Sequence, residues 1–444
     1  MRYSSLIFIC FFSLLICDGV RVAINEKFID AILNSYLPEI KQCTQGTDLP
    51  NSEYFENLKF SIPNFDLNKV KCTFTDKGFL NLQINGLNPQ LKGTAKKKLL
   101  LVTIKKSFSL TLKDFRFNTK LKITSKKDNG VLVPAAYFEE KPSINFSVKI
   151  DLGNSILMKI ISSIFNGVAN FAKKIVNPII EFLLKKIVEI VVSHLPREIS
   201  IGKYKLDVTL SSNIEMRNKF LEINSNARLY NPKIPATKRK YFPKVTFPRL
   251  TTMGSQLQLY ISEFSVNAAI YTILASNNLE IKKKIKSSQI LKTFPGITDE
   301  YGNEAYIVFT GSPDISLQIS EEDLNVNLPG TFSIRSISGE DIIELDLKLA
   351  LKVNVGIEDG KITGSIQDYD VNLRKININK GYVDLSAVKK GFSELKSLLI
   401  GLLNEFITSK MQLTFPTVMG IQFTELSLVH KNHYLLINFD LVRK

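Results

Sequence analysis

The stretch Ile24 to Leu33, INEKFIDAIL, returns 237 positions later as Ile261 to Ile270, ISEFSVNAAI. Isoleucine, a polar residue, glutamate and a downstream Ala-Ile or Ala-Ala pair recur in the same order. Toward the far end of each half a second echo appears. Gly202 to Leu210 (GKYKLDVTL) matches Gly420 to Leu428 (GIQFTELSL), and Asn218 to Asn224 (NKFLEIN) matches Asn432 to Asn438 (NHYLLIN). The offsets of the later matches are 218 and 214, and changes in loop length account for the drift. A duplication this long implies two copies of one module, each opening with a helix and closing with a strand pair.

Working outward, the chain divides into an expected signal peptide at 1–19, a first module at 20–230, a proline-rich linker at 231–250 and a second module at 251–444. Arg2 followed by the apolar run Leu6 to Ile16, with Cys17 and Gly19 before the cut, has the form of a secretory signal. A lipoprotein anchor at Cys17 is the competing reading, and bulky Ile16 opposes it. The expectation is a secreted, extracellular protein of about 425 residues. Pro232, Pro235, Pro243 and Pro248, interleaved with Lys and Arg, read as an extended crossing between the copies.

Removing the signal leaves Cys43 and Cys72. In an oxidising compartment this pair is either a disulfide, contributing about 3 to 4 kcal/mol, or two buried thiols. Asn145-Phe146-Ser147 is a glycosylation sequon.

From Ser155 to Leu195 apolar residues recur at three-four spacing, predicting a long helix kinked or split at Pro178, and Ser386 to Met411 predicts its counterpart. Phe115, Phe117, Leu121 and Ile123 alternate with Arg116, Asn118, Lys120 and Lys122, and Leu345 to Val353 repeats the alternation. That is the pattern of antiparallel sheet wet on one face. The fold class is therefore α+β: two tandem similar modules, each a twisted antiparallel sheet wrapped on a long apolar helix.

Charge separates the halves. Val20 to Pro235 carries 33 Lys and Arg against 19 Asp and Glu, whereas Ala236 to Lys444 carries 24 against 22. The densest basic run holds Lys92, Lys96, Lys97, Lys98, Lys105 and Lys106. Such a run suits a solvated face or an anionic lipid surface. Nucleic acid is disfavoured, because no recognition motif is present. Catalysis and a metal site are also disfavoured. There is no Gly-x-Ser-x-Gly elbow or phosphate-binding glycine loop, and the only histidines are His194, His430 and His433, the last two in a predicted turn of the final strand pair.

The duplicated modules, TFPRLTTMGSQLQLYISEFSVNAA at 246–269 and the tail MQLTFPTVMGIQFTELSLVHKNHYLLINFDLVRK at 411–444 resemble the bactericidal/permeability-increasing protein family. Lipopolysaccharide-binding protein and the plasma lipid transfer proteins belong to that family. The resemblance implies a boomerang of two barrels joined by a central sheet, each holding a phospholipid beside its helix. It also implies a cationic tip on the first barrel that engages lipopolysaccharide. LKGTAKKKLLLVTIKK at 91–106 falls where that tip would lie, which carries the role to Lys92, Lys96, Lys97 and Lys98, and more weakly to Lys105 and Lys106. The family's characteristic disulfide has no counterpart here, since no Cys follows Cys72, and aromatic residues are missing around Thr94 and Ala95.

A sixteen-carbon chain held out of water gains roughly 12 kcal/mol, at about 0.8 kcal/mol per methylene, so a carrier needs a long dry groove. The residues expected to supply it, or else to pack as core, are Phe28, Ile32, Leu33, Ile160, Ile164, Phe171, Ala269, Ile273, Leu395 and Leu399. The expected function is binding of phospholipid acyl chains and of anionic amphiphiles at a membrane surface, in an innate antibacterial role, with phospholipid as ligand and no cofactor. Two alternatives are a transfer protein for neutral or zwitterionic lipid and an extracellular structural or adhesion protein with closed barrels.

Overall fold

The structure is a computed structural model that describes residues 17–35, 47–48, 55–99, 102–140, 143–151, 197–201, 203–217, 219–236, 239–276, 280–286, 304–358, 361–378, 385–410, 413–414 and 423–441. The predicted helix at 155–195 lies outside the described residues.

A six-stranded antiparallel sheet joins the two halves, in the order Glu215–Arg217, Phe220–Asn226, Cys17–Asn25, Leu257–Ser262, Tyr434–Leu441, Phe423–Lys431. The opening strands of the two copies meet at its centre, where Val22 faces Leu259. These residues are equivalent at the offset of 237 seen in the sequence, so a pseudo-twofold axis passes between them. The flanking strands obey the same relation. Ala23 pairs with Glu222 and its equivalent Tyr260 pairs with Leu436, which reproduces the offset of 214.

The duplication extends to local chemistry. The turns before the closing strands place Lys219 and its equivalent His433 at φ 72° and 73°, the left-handed region. Helix α1 (Glu26–Ser35) and helix α2 (Glu263–Ser276) begin in the same way. Asn25 Oδ1 accepts from the Phe28 amide at 3.2 Å, and Ser262 Oγ accepts from the Ser265 amide at 3.3 Å, capping donors that the helix leaves free. The first glutamate of each helix then reaches into its own module. Glu26 accepts from the Phe74 amide, and Glu263 from the Ile319 amide at 2.8 Å.

In the first module the 27-residue strand Val102–Asp128 is the spine. It pairs successively with Gln90–Leu99, Ser143–Asp151, Leu80–Leu87 and Val131–Phe138. A register shift between Lys113 and Arg116, with Asp114 at φ 53°, bends it midway. The predicted alternation holds for Phe115, Phe117 and Leu121, which are buried, and for Arg116 and Asn118, which are exposed, and it fades at Lys120, Lys122 and Ile123, all half-buried.

The second module is a seven-stranded antiparallel sheet built on Leu324–Ser336, Asp341–Glu358 and Lys361–Ile378. Leu345, Leu347, Leu349, Leu351 and Val353 all point inward and are buried, and Lys348 and Lys352 are exposed. Helix α3 (Leu385–Lys410), matching the expected 386–411 closely, lays Val388, Leu395, Leu399, Leu402 and Leu403 on that face. Each such side chain contributes about 1.5 to 3 kcal/mol by leaving water. Two tandem sheet modules sharing a central sheet, the α+β class read from the sequence, make up the molecule.

The linker is stitched down along its length. Phe242 packs with Phe264, Ala268 and Tyr271 of α2, and Phe247 sits edge-on to Tyr260 and Tyr434 at 5.8 and 5.6 Å.

Candidate functional site

The basic run forms a hairpin in which Gln90–Leu99 pairs with the start of Val102–Asp128. Lys96 stands directly opposite Lys105, Lys98 opposite Thr103 and Lys92 opposite Ser109. Like charges opposed across a ladder repel. The neighbouring strand Phe55–Ser61 relieves this with one carboxylate. Glu56 Oε1 lies 3.2 Å from Lys96 Nζ and Glu56 Oε2 lies 2.7 Å from Lys105 Nζ. Hydrogen bonds from Lys105, then Lys96, hold the Glu56 carboxyl below the usual carboxylate range.

Lys92 and Lys98 remain exposed. Lys59, opposite Lys92, extends the basic surface and pairs with Asp48 at 3.6 Å. Lys97 and Lys106 take register positions opposite Ile104 and Ala95, and their side chains lie outside the described residues. Sequence reading missed Glu56, because an acid forty residues away joins the lysines only once the strands are paired.

The apolar candidates separate into groups. Phe28 is 2% exposed and sits in the first core with Cys72 and Phe74. Ile32 and Leu33 belong to α1, but their side chains, and Ile160, Ile164 and Phe171 entirely, lie outside the described residues. Leu395 and Leu399 are 3% and 1% exposed in the core of the second module. Ala269 is half-buried and Ile273 is 41% exposed.

Ala269 and Ile273 share one stripe of α2 with Val266 and Ile270, at the spacing of a helix face. Val266 and Ile270 pack partly against the second core. The opposite face, with Phe264 and Ala268, takes the linker. A helix apolar on both faces needs cover on both. On α2 the linker side is filled, while the other side is open at Ile273.

Cys72 is a buried free thiol, pushed up to about 12 by burial first, with Asp30 and Glu26 adding to it. Its expected partner Cys43 lies outside the described residues. Asn145 of the sequon is exposed on Ser143–Asp151.

His433 occupies a turn as expected, with its Nδ1 3.4 Å from Glu263 Oε2. His430 instead lies within the strand Phe423–Lys431, its ring nitrogens 2.9 Å from the Glu322 carbonyl and 3.0 Å from that of Val355. His194 lies outside the described residues. Among the described residues no group of three or more His, Cys, Asp or Glu could hold a metal ion, and no helix is long and apolar enough to cross a membrane.

No family model and no curated protein matches the chain. Solved structures do. The crystal structure of lipopolysaccharide binding protein aligns over 96% of this chain and 99% of its own, with a TM-score of 0.49 and 15% identity. The crystal structure of P47 of Clostridium botulinum E1 aligns over 95% and 98%, with a TM-score of 0.33 and 11% identity.

Proposed function

We propose that this chain is an exported amphiphile-binding protein that takes hydrocarbon chains against apolar helix faces and anionic head groups at the lysine hairpin of the first module. The observation that carries it is the α2 stripe of Val266, Ala269, Ile270 and Ile273, apolar and left partly open beside the second core. Ordinary core packing would bury Ile273, whereas an acyl chain laid along the stripe covers it at roughly 0.8 kcal/mol per methylene. Lys92 and Lys98, exposed on the hairpin, supply attraction to phospholipid or lipopolysaccharide head groups at a membrane surface. Purified protein, extracted with solvent and examined by mass spectrometry, is expected to release phospholipid, and less of it when Ile273 is changed to Lys. A lipid-free wild type would overturn the reading and favour closed barrels.

A second reading, a carrier for neutral or zwitterionic lipid, is favoured by Glu56. By holding Lys96 and Lys105 it lowers the charge that the tip offers to an anion. Charge reversal at Lys92 and Lys98 separates the two: lost lipopolysaccharide binding with intact phosphatidylcholine exchange points to transfer.

A further inference from the structure

Arg228, Arg239 and Lys240 line one small cleft together with Tyr230, Phe242 and Tyr271, and among the described residues no carboxylate lines it. Arg228 comes from the strand Arg228–Tyr230 of the first module, Arg239 and Lys240 from the linker, and Tyr271 from α2 of the second module. Three cations gathered from two parts of the fold, the first module and the linker, repel one another, and partial burial removes the water that would screen them. Burial first, and the positive charge of Arg239 next, hold the Arg228 guanidinium below its ordinary basicity, with Asp207 opposing. Lys240 Nζ has a carboxylate at 3.6 Å, that of Asp314.

Both guanidinium groups are fixed in place by backbone carbonyls. Arg228 Nη2 donates to the Lys240 carbonyl at 3.1 Å. Arg239 Nε donates to the Ile234 carbonyl at 3.2 Å, and its guanidinium lies 4.0 Å from the centre of the Tyr230 ring. A guanidinium carries five N–H donors in a planar fork that matches the oxygens of phosphate.

We infer that this cleft binds the phosphate of a phosphate monoester, with Arg228 and Arg239 as its donors and Lys240 as a supporting charge. The cleft measures about 10 Å³, room for one oxygen-sized atom, so the remainder of the ligand lies outside. Asp314, the partner of Lys240, borders the place where it would lie. That neighbouring groove measures about 620 Å³ and is edged by Ser312, Asn327 and Thr331 together with the charged Asp346, Lys348 and Arg374. Hydroxyl, amide and carboxylate groups beside cations suit the hydroxyls of a polyol. The ligand class is therefore a polyol phosphate, either free or as the head group of an anionic lipid. The cleft uses the face of α2 opposite the Val266–Ile273 stripe and is remote in sequence from the lysine hairpin, so it stands independently of the acyl-chain reading.

Isothermal titration of the full chain at 0.15 M sodium chloride, without phosphate buffer, tests it with glycerol 3-phosphate and with phosphatidylcholine vesicles with or without phosphatidic acid. Saturable binding of glycerol 3-phosphate, weakened at least about tenfold by Arg239→Gln, is expected for a free phosphate ester. Response only to vesicles containing phosphatidic acid, lost in Arg239→Gln, identifies a lipid head group instead. Arg228→Gln should act in the same direction. If it fails to fold, Arg239→Gln, checked by its unchanged melting curve without ligand, decides alone. Absence of binding to either probe, or binding that Arg239→Gln leaves intact, overturns the proposal.

Discussion

Arg21 Nε lies 3.0 Å from Glu222 Oε1, and both side chains are buried in the central sheet. Arg21 also donates to Asn224 Oδ1 at 3.0 Å and to the Pro248 carbonyl at 2.5 Å, while its guanidinium lies 5.1 Å from the Phe247 ring and 5.5 Å from the Tyr260 ring. One side chain thus touches the first module, the linker and the second module. Its pKa is lowered, by burial foremost, against the pull of Glu222.

Removing one partner of a buried ion pair leaves the other charge uncompensated, at a cost of about 3 to 5 kcal/mol. Arg21→Ala is expected to lower stability by about that much in denaturant unfolding. Arg21→Met with Glu222→Leu should recover most of it. A single mutant as stable as wild type would show that the pair does not hold the junction.

The duplicated glutamates give a paired test. Glu263→Ala removes the acceptor of the Ile319 amide and is expected to cost about 1 to 3 kcal/mol. Glu263→Gln keeps a carbonyl oxygen and should cost less, and Glu26→Ala should behave alike through Phe74. Melting curves of the three variants would reveal whether the two halves respond in parallel.

Glu56→Gln should free the charges of Lys96 and Lys105 from their ion pairs. Binding to vesicles containing phosphatidylglycerol is then expected to tighten by about fivefold at low salt, with a steeper loss as salt rises. An unchanged affinity would mean that the hairpin does not face the membrane.

Alkaline pH should weaken the fold through groups that keep their protons when buried. Cys72 is raised from 9.0 to about 12, and Tyr260 from 10.0 to about 12, each chiefly by burial. The folded state holds these protons where the unfolded chain has released them, so stability is intact below pH 9 and falls as pH rises toward 12. Native protein at pH 8 should therefore resist thiol alkylation at Cys72, and denatured protein without reductant should accept it. Failure to label after denaturation would overturn the free-thiol state of Cys72.

The duplication was legible, and its offsets of 237 and 214 recur as the offsets of the paired strands, but the strand that precedes each opening helix and pairs across the centre was not read. Inward faces such as Leu345 to Val353 were legible from period-two alternation. Glu56 was not, since a cross-strand salt bridge leaves no local trace. Nor was the difference between Leu399, sealed in the core, and Ile273, left open, because both are simply apolar residues on a helix. The linker prolines announced an extended crossing, but not that Phe242 and Phe247 anchor it or that Arg239 and Lys240 join Arg228 in a cleft.

Val22 opposite Leu259 makes the contact between the halves self-complementary, since each half offers the other the same edge. This is the geometry of an isologous homodimer, with the proline-rich crossing serving as a tether that keeps the effective concentration of the two partners high. A chain nicked in that tether should remain associated as a non-covalent heterodimer of its own fragments.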